Sequence, residues 1–451
     1  MIWNPVTPAG SLYIWIRVAK KLFLESYGCQ MNEADSEVIL GVLTKNGYEL
    51  TDSVSSADVI LFNTCAVREH AETRIYGRVS QLSPLKNKNP ELVIGICGCM
   101  STHLKEKILD EAPLVDLVVG PDSYRRLPEL IEKAVSEPFV DVRLDKYETY
   151  ADLEPKRESG VRAWVSIMRG CDKFCTFCIV PYVRGRERCL TLPQVLSQVQ
   201  ELADEDYKEI VFLGQTVNSY RDKENGFDFV DLLEKTSQIE GIVRIRFTSP
   251  HPIDFDDKTI EVMKNNSKIC PQVHLPLQSA SDSVLDKMKR RYNLSYYDEL
   301  LRKFREAIPG IAITTDIIVG FPTETEEDFL KTFDYMQKVK YDSAFMFIYS
   351  PRPGAKAFNW GDPIPHAEKV KRLESLIKLQ EKITLEIHRK EIGKKTLVLT
   401  EGQAKKEKGH LFGKNPQYKT VVFPQDGIKA GEFVTVSIKQ ATPHTLLGVV
   451  E

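Results

Sequence analysis

No stretch of this 451-residue chain stays apolar for the ~18–20 residues that a membrane-crossing helix needs. The first twenty residues do not read as an export signal either. They include Trp3, Tyr13 and Trp15, but lack a basic start and a small-residue cleavage site. Residues 1–20 are therefore read as an N-terminal extension, and the expected location is cytoplasmic. Strong charge of one sign is also missing: the net charge is −3, so any nucleic-acid surface has to be local. No internal repeat or low-complexity segment is evident. Nine cysteines, an odd number in a large chain without an export signal, argue against a disulfide framework and point to metal or catalysis instead. What remains is ordinary for a globular protein, 42% hydrophobic and 28% charged, with length enough for two or three cores.

Between Lys21 and about Pro138, short apolar runs (Leu22–Ser26, Asp58–Asn63, Leu92–Cys97, Val115–Val119) alternate with amphipathic stretches. Those stretches fit helices over Glu33–Lys45, Val67–Leu82, Leu104–Glu111 and Arg126–Val135. Alternation of this kind predicts a parallel sheet covered by helices, a doubly wound α/β domain over residues 21–138. Residues 139–160 are charged and aperiodic, with Pro155 and Gly160, and read as a linker. A second series over 161–388 has strands at Ala163–Met168, Glu209–Leu213, Val243–Thr248, Gln272–Leu275, Ala312–Val319 and Asp342–Ile348. Helical patterns such as Pro193–Leu202, Val230–Ile239 and Glu326–Val339 lie between them, and a long helix over Ala367–Arg389 leads out. Six such units predict a partial (βα) barrel rather than a closed eight-fold one. Residues 389–451 turn β-rich, with runs at Thr396–Thr400, Lys419–Phe423 and Glu432–Ile438 between glycine-containing turns, as in a small antiparallel barrel. This last segment carries 11 Lys/Arg against 6 Asp/Glu, so basic charge is concentrated there.

The strongest chemical signal is Cys171-Asp-Lys-Phe-Cys175-Thr-Phe-Cys178, directly after the first strand of the six-unit domain. Three thiolates on one short loop can converge on a [4Fe–4S] cluster and leave one iron open to a substrate. Zinc would want a fourth protein ligand, and none is near in sequence. The loop also follows a strand C-terminus, where α/β folds place their active sites. Cys29, Cys65 and Cys99 each follow a strand of the first domain. If those strands are parallel, the three loops open at one sheet edge, so a second three-cysteine cluster is geometrically reasonable; buried packing cysteines are the alternative. Cys97, inside an apolar run, and the isolated Cys189 and Cys270 read as packing residues.

The Cys171 loop resembles that of the radical S-adenosylmethionine superfamily. The resemblance narrows through Tyr27–Asn32, Met168–Cys171, Val183-Arg184-Gly185-Arg186-Glu187-Arg188, Leu213–Tyr220, His274–Ser279, Asp316–Phe321 and Phe345–Ser350. In that order these segments are similar to the methylthiotransferase family, most closely its MiaB-type branch, over nearly the whole chain from Lys21 to Glu451. The sequence departs from the usual pattern at Thr216, Ala280, Ala355 and Lys414-Asn415, none of them a cluster ligand.

The resemblance implies a methylthiotransferase N-terminal domain, a radical barrel and a C-terminal RNA-gripping TRAM domain. It assigns one [4Fe–4S] cluster to Cys171, Cys175 and Cys178, and an auxiliary [4Fe–4S] cluster to Cys29, Cys65 and Cys99. One S-adenosylmethionine would methylate a sulfur on the auxiliary cluster; a second would be cleaved to a 5′-deoxyadenosyl radical. The implied product is transfer RNA methylthiolated at C2 of N6-isopentenyladenosine, at position 37 beside the anticodon. Cofactor contacts are expected from Gly214, Gln215, Ser249, Gln278, Asp316 and Gly320. RNA contacts are expected from Arg184, Arg186, Arg188, Lys405, Lys406, Lys414 and Lys419, with Lys408 adding charge and with Tyr418 and Phe412 stacking on bases. His274 reads equally as a packing or a catalytic residue, and Arg290 and Arg291 as partners of cofactor carboxylate or RNA phosphate. A flavodoxin or ferredoxin would supply electrons, and the default assembly is a monomer. Two rivals stay open: the same chemistry on threonylcarbamoyl-adenosine or a ribosomal-protein aspartate, and a non-catalytic iron–sulfur RNA-binding or redox-sensing protein.

Overall fold

A computed structural model describes residues 19–66, 69–157 and 160–451. Nearly all of the N-terminal extension and the first residues of the helix expected from Val67 lie outside the described residues. The first domain is a six-stranded sheet built from β1 (Lys20–Tyr27), β2 (Tyr48–Leu50), β3 (Val59–Thr64), β4 (Val93–Gly98), β5 (Leu117–Val119) and β6 (Phe139–Asp141). The order is β2-β1-β3-β4-β5-β6 and every pair is parallel. All residues of β3, β4 and β5 are buried, which is why these strands read as unbroken apolar runs rather than as alternation. Leu22, Leu61 and Val93 pack beneath Ile39, Leu43 and Leu130 on one face. Ile60, Ile94 and Ile96 pack with Ile75, Val79 and Ile108 on the other. The sheet is thus doubly wound, and chain order reverses at β1, so the crevice between β1 and β3 is a topological switch point.

Two expectations change here. The stretch from 139 begins as strand β6, and Tyr150 is buried and stacked on Tyr124 at 5.8 Å, so much of the expected linker belongs to the first domain. The helix expected over Leu104–Glu111 is two short helices, Cys99–Leu104 and Lys107–Glu111, broken where Lys105 takes a φ of 54°.

The second domain contains β7 (Arg162–Ser166), the short antiparallel pair β8 (Met168–Arg169) and β9 (Arg188–Cys189), then β10 (Glu209–Leu213), β11 (Arg244–Phe247), β12 (Gln272–His274), β13 (Ala312–Val319) and β14 (Ser343–Ile348). Parallel sheets β7-β10-β11 and β12-β13-β14 are joined by an Ile245–Ile269 bridge, giving an open six-stranded barrel. Helix Glu326–Val339 starts with a Thr325/Asp328 capping box, a local reason for its sharp sequence boundary.

Helix His366–Arg389 leads to a closed barrel of β15 (Lys395–Gln403), β16 (His410–Lys414), β17 (Thr420–Pro424), β18 (Phe433–Ala441) and β19 (Leu446–Val450). Its order is β15-β16-β17-β19-β18, and β17–β19 is a parallel pair within an otherwise antiparallel barrel. This barrel seats on the starting ends of β7, β10 and β11. Glu209, with no exposed side chain, receives Arg162 Nε at 2.6 Å and Arg246 Nε at 3.1 Å. The same arginines reach across: Arg162 to Glu401, Arg246 to the carbonyls of Asn415 and Pro416, and neighbouring Arg244 to those of Leu397 and Lys414. Removing one partner of a buried ionic cluster leaves the others uncompensated, at a cost of about 3–5 kcal/mol. Glu209→Ala is therefore expected to lower the unfolding temperature by several degrees and to open the chain to limited proteolysis near residue 389. An unchanged melting curve and digest would show that the cluster does not hold the two domains together.

Candidate active site

Parallel pairing brings the first three cysteines to one edge. Tyr27 lies opposite Thr64, and Thr64 opposite Gly98, so adjacent strands β1, β3 and β4 end level with one another. Cys29, Cys65 and Cys99 follow these ends directly, at the switch point. Asn32 ties the loops together, donating from Nδ2 to Asn63 Oδ1 (3.1 Å) and to the Thr64 carbonyl (3.2 Å). Asn63 Nδ2 returns a bond to the Asn32 carbonyl at 2.7 Å. Gly98 has a φ of 96°, and a Cβ there would lie 2.5 Å from the Thr64 carbonyl oxygen. Only glycine fits that approach. A hydrogen bond from the Cys65 thiol lowers the Cys29 thiol to about 6, against burial that pushes it up, and Arg184 lowers it further. Burial raises the Cys99 thiol, while Arg184 Nε stands 3.1 Å from its sulfur.

The second triad is local. Gly170, at φ 76°, precedes it, and a Cβ at that position would come within 2.1 Å of the Arg186 carbonyl oxygen. Cys171 N donates to the Gly185 carbonyl at 3.2 Å and Cys178 N to the Cys175 carbonyl at 3.0 Å, folding the loop on itself. Thr176 pins it to the barrel wall, its Oγ1 donating to the Lys287 carbonyl at 2.8 Å. Burial pushes the Cys171 thiol up to about 11 and the Cys178 thiol to about 12, and the neighbouring thiolates add to both. Thiols raised in this way stay protonated unless a cation such as iron offsets the charge of their thiolates. Arg290, buried, points Nη1 at Cys175 Sγ (3.5 Å). Among the described residues, no three His, Cys, Asp or Glu side chains converge as ligands of a single ion do. A four-iron cluster places each thiolate on a different iron, so its ligands sit farther apart.

Inside the barrel is a cavity of about 500 Å³ whose lining includes Trp164, Phe247, Ser249, His274, Asp316 and Phe345. It reaches Gln30, next to Cys29, on one side and Tyr418 on the other. Asp316 meets His274 Nε2 at 3.2 Å, and His274 Nδ1 meets Thr314 Oγ1 at 2.8 Å, so this histidine is a polar member of the cavity wall. Gln215 Oε1 and Gln278 Oε1 are buried without a hydrogen-bond partner, and Gln278 is held at φ 74°. Neither glutamine is among the residues lining the cavity, and their unpaired buried oxygens are polar groups without a protein partner. The two glycines differ from expectation. A Cβ at Gly214 would meet Met168 Cγ at 2.4 Å, and one at Gly320 would meet Lys369 Cγ at 2.5 Å. Internal packing is by itself enough to require glycine at both.

Family models match in the same three places: uncharacterized protein family UPF0004 over residues 21–120, the radical SAM superfamily over 165–336 and the TRAM domain over 389–450. The tRNA-2-methylthio-N(6)-dimethylallyladenosine synthase of Chloroherpeton thalassium is 44% identical over 430 residues, covering 95% of each chain. The Porphyromonas gingivalis protein of the same name is 45% identical over 440 residues, covering 96% of this chain and 95% of its own. The chain belongs to this synthase family. Among solved structures, the radical S-adenosylmethionine methyltransferase TsrM of Kitasatospora setae superposes with a TM-score of 0.56 at 13% identity, covering 87% of this chain and 79% of that one. The cobalamin-dependent radical enzyme OxsB gives 0.52 at 12% identity, covering 80% of this chain and 56% of that one. These two likenesses concern the fold alone.

Several expected RNA contacts are corrected by burial. Arg184 and Arg188 are 3% and 9% exposed and point into the first domain, Arg184 to Asp35 and Arg188 to Asp122. Lys419 pairs with Asp342 and Glu391. Lys414 lies over Tyr418, and Tyr418 is clasped by Arg162 and Arg246. These three half-buried TRAM residues stand at the seat between the barrels and also line the far end of the cavity. Arg186, Lys405 and Lys406 are exposed. Arg290 meets a cysteine sulfur and the Pro276 carbonyl, which neither of its expected roles included. Sequence reasoning missed Asp35, Asp122 and Arg169. The signal for Asp35 was present: Asn32, Asp35 and Ser36 share the helix face that buries Ile39 and Leu43. Gly170→Ala is expected to distort only the Cys171 loop, cutting iron after anaerobic reconstitution from roughly eight to roughly four atoms per chain, as for loss of one of two four-iron clusters. A full iron complement in this variant would show that the loop tolerates the distortion.

Proposed function

We propose that the chain is a radical S-adenosylmethionine enzyme that methylthiolates C2 of N6-isopentenyladenosine, at position 37 of transfer RNA. The observation that carries this reading is the pair of cysteine triads, one at the edge of the first sheet and one on the barrel loop, with a cavity that reaches Gln30 beside the first. Relatives bearing the synthase name match across 95% of the chain. Two [4Fe–4S] clusters and S-adenosylmethionine are the cofactors, with transfer RNA the substrate.

Cys171, Cys175 and Cys178 would hold one cluster, and Cys29, Cys65 and Cys99 would hold the other. When bound, the clusters supply one-electron reduction of S-adenosylmethionine and sulfur for transfer. The protein's residues bind, orient and keep out water. Gln215, Gln278, Ser249 and Asp316 offer oxygens to the cofactor. Trp164, Phe247 and Phe345 give the cavity an apolar wall for a flat base. Lys405 and Lys406 are exposed and available for phosphates, while Arg186, also exposed, is paired with Asp172. C2 of adenine is an unactivated C–H position, so side-chain acid–base chemistry gives little leverage there, and no residue of the cavity is assigned as acid or base. A flavodoxin or ferredoxin is the proposed electron donor, and the working unit is a monomer in the cytoplasm. Among the described residues no helix is long and apolar enough to cross a membrane.

The test is anaerobic incubation of the reconstituted chain with reductant, S-adenosylmethionine and matched transfer RNAs with or without the isopentenyl group, read by nucleoside mass spectrometry. A methylthio adduct only on the isopentenylated RNA, abolished in Cys171→Ala, is expected. Cofactor cleavage without that adduct would move the acceptor to one of the rivals. No cleavage with both clusters intact would leave a non-catalytic iron–sulfur protein.

A further inference from the structure

We propose that Arg184 is a positioning residue that reaches from the radical-cluster loop to the auxiliary cluster, where it sets that cluster's redox potential and, by sharing Asp35 with Arg169, fixes the spacing of the two cysteine triads. The inference rests on the assignment of Cys29, Cys65 and Cys99 as cluster ligands, and deepens it.

Arg184 belongs to the barrel. It ends the short helix Val180–Val183, two residues after Cys178, and its backbone N donates to the Val180 carbonyl at 2.9 Å. Its side chain belongs to the other domain: Nε lies 3.1 Å from Cys99 Sγ and Nη2 lies 2.7 Å from Asp35 Oδ2. Asp35 sits on helix Gln30–Lys45, which starts one residue after Cys29, and its side chain has no exposed surface. The second carboxylate oxygen of Asp35 takes Arg169, two residues before Cys171. Three side chains therefore link Cys29, Cys99 and both ends of the Cys171–Cys178 loop through contacts sealed from solvent. Tyr124 donates to Asp35 Oδ2 at 3.4 Å, and Tyr150 stacks beneath Arg169 at 4.6 Å, which limits the freedom of both partners.

The charges do not cancel. Two guanidinium groups share one carboxylate, which leaves a buried charge of +1 against the sulfur of Cys99. A three-thiolate cluster becomes more negative by one unit on reduction, so a buried cation and an N–H donor at its sulfur favour the reduced form. Arg188 offers an internal control. It pairs with Asp122 across the same interface, at 2.9 Å and 3.0 Å, but the structure gives it no cysteine contact. Loss of Arg188 loosens the interface without altering the charge on the sulfur.

The experiment uses the full chain with Cys171, Cys175 and Cys178 replaced by Ala, so that only the auxiliary cluster is rebuilt. Its midpoint potential is measured by dye-mediated titration followed by electron paramagnetic resonance. Arg184→Gln and Arg184→Met are expected to retain full iron and to lower the potential, Met by at least a tenfold change in the reduction equilibrium, which is 59 mV for one electron. The double variant Arg188→Met/Asp122→Asn is expected to leave the potential unmoved. Unchanged potentials in both Arg184 variants, or an equal drop in the Arg188/Asp122 variant, would overturn the inference. If Arg184→Met loses its native circular dichroism, Arg184→Gln alone decides. Failure of the parent to bind four irons would instead overturn the ligand assignment beneath it.

Discussion

Asp35 is a carboxylate without solvent, held between Arg169 and Arg184, and the relation between the first two domains turns on it. Burying such a group costs several kcal/mol per ion, and the return is geometric as much as energetic. Apolar contact between the domains, such as Met31 and Ala34 against Val211 and Leu213, is tolerant of sliding. A carboxylate shared by two guanidinium groups accepts one arrangement. Met31, Ala34 and Asp35 stand on one helix, so the apolar seat and the ionic pin are set by the same element.

The molecule is polarised from end to end. The cysteines occupy the carboxyl ends of strands in both α/β domains, as parallel sheets favour. At the opposite end of the barrel, Glu209 gathers Arg162, Arg244 and Arg246, and the TRAM barrel seats over them. Between these two ionic clusters lies the cavity, with Asp316 and His274 in its wall. Each triad is also met by one buried arginine, Arg184 at Cys99 and Arg290 at Cys175.

Much of this was legible in the residues. Strands Glu209–Leu213 and Ala312–Val319 and helix Glu326–Val339 lie where periodicity places them, because each is long or sharply capped. The short strands β2 and β6 escaped, since three residues carry no measurable period. Strands β16 and β19 escaped because glycine interrupts each. Charge was the hardest to read. Arg184, Arg188, Lys414 and Lys419 look in sequence like a basic RNA face, and an arginine aimed at a buried aspartate on another domain has the same local context as one aimed at a phosphate. Only the partner distinguishes them: Asp35 for Arg184, Asp122 for Arg188 and Asp342 for Lys419, each distant in the chain, while Lys414 lies over Tyr418.

The spacing of the two triads along the chain has a consequence for how the protein matures. Cys171, Cys175 and Cys178 lie within eight residues, so even an unfolded chain can bring them together at small entropic cost. Cys29, Cys65 and Cys99 meet only because β1, β3 and β4 pair in parallel, with a helix crossing back between each. A metal site at the first set would need only its own loop, whereas one at the second would need a finished sheet and would share in its folding free energy. The chain thus carries one site that can be filled early and one that must wait for its fold.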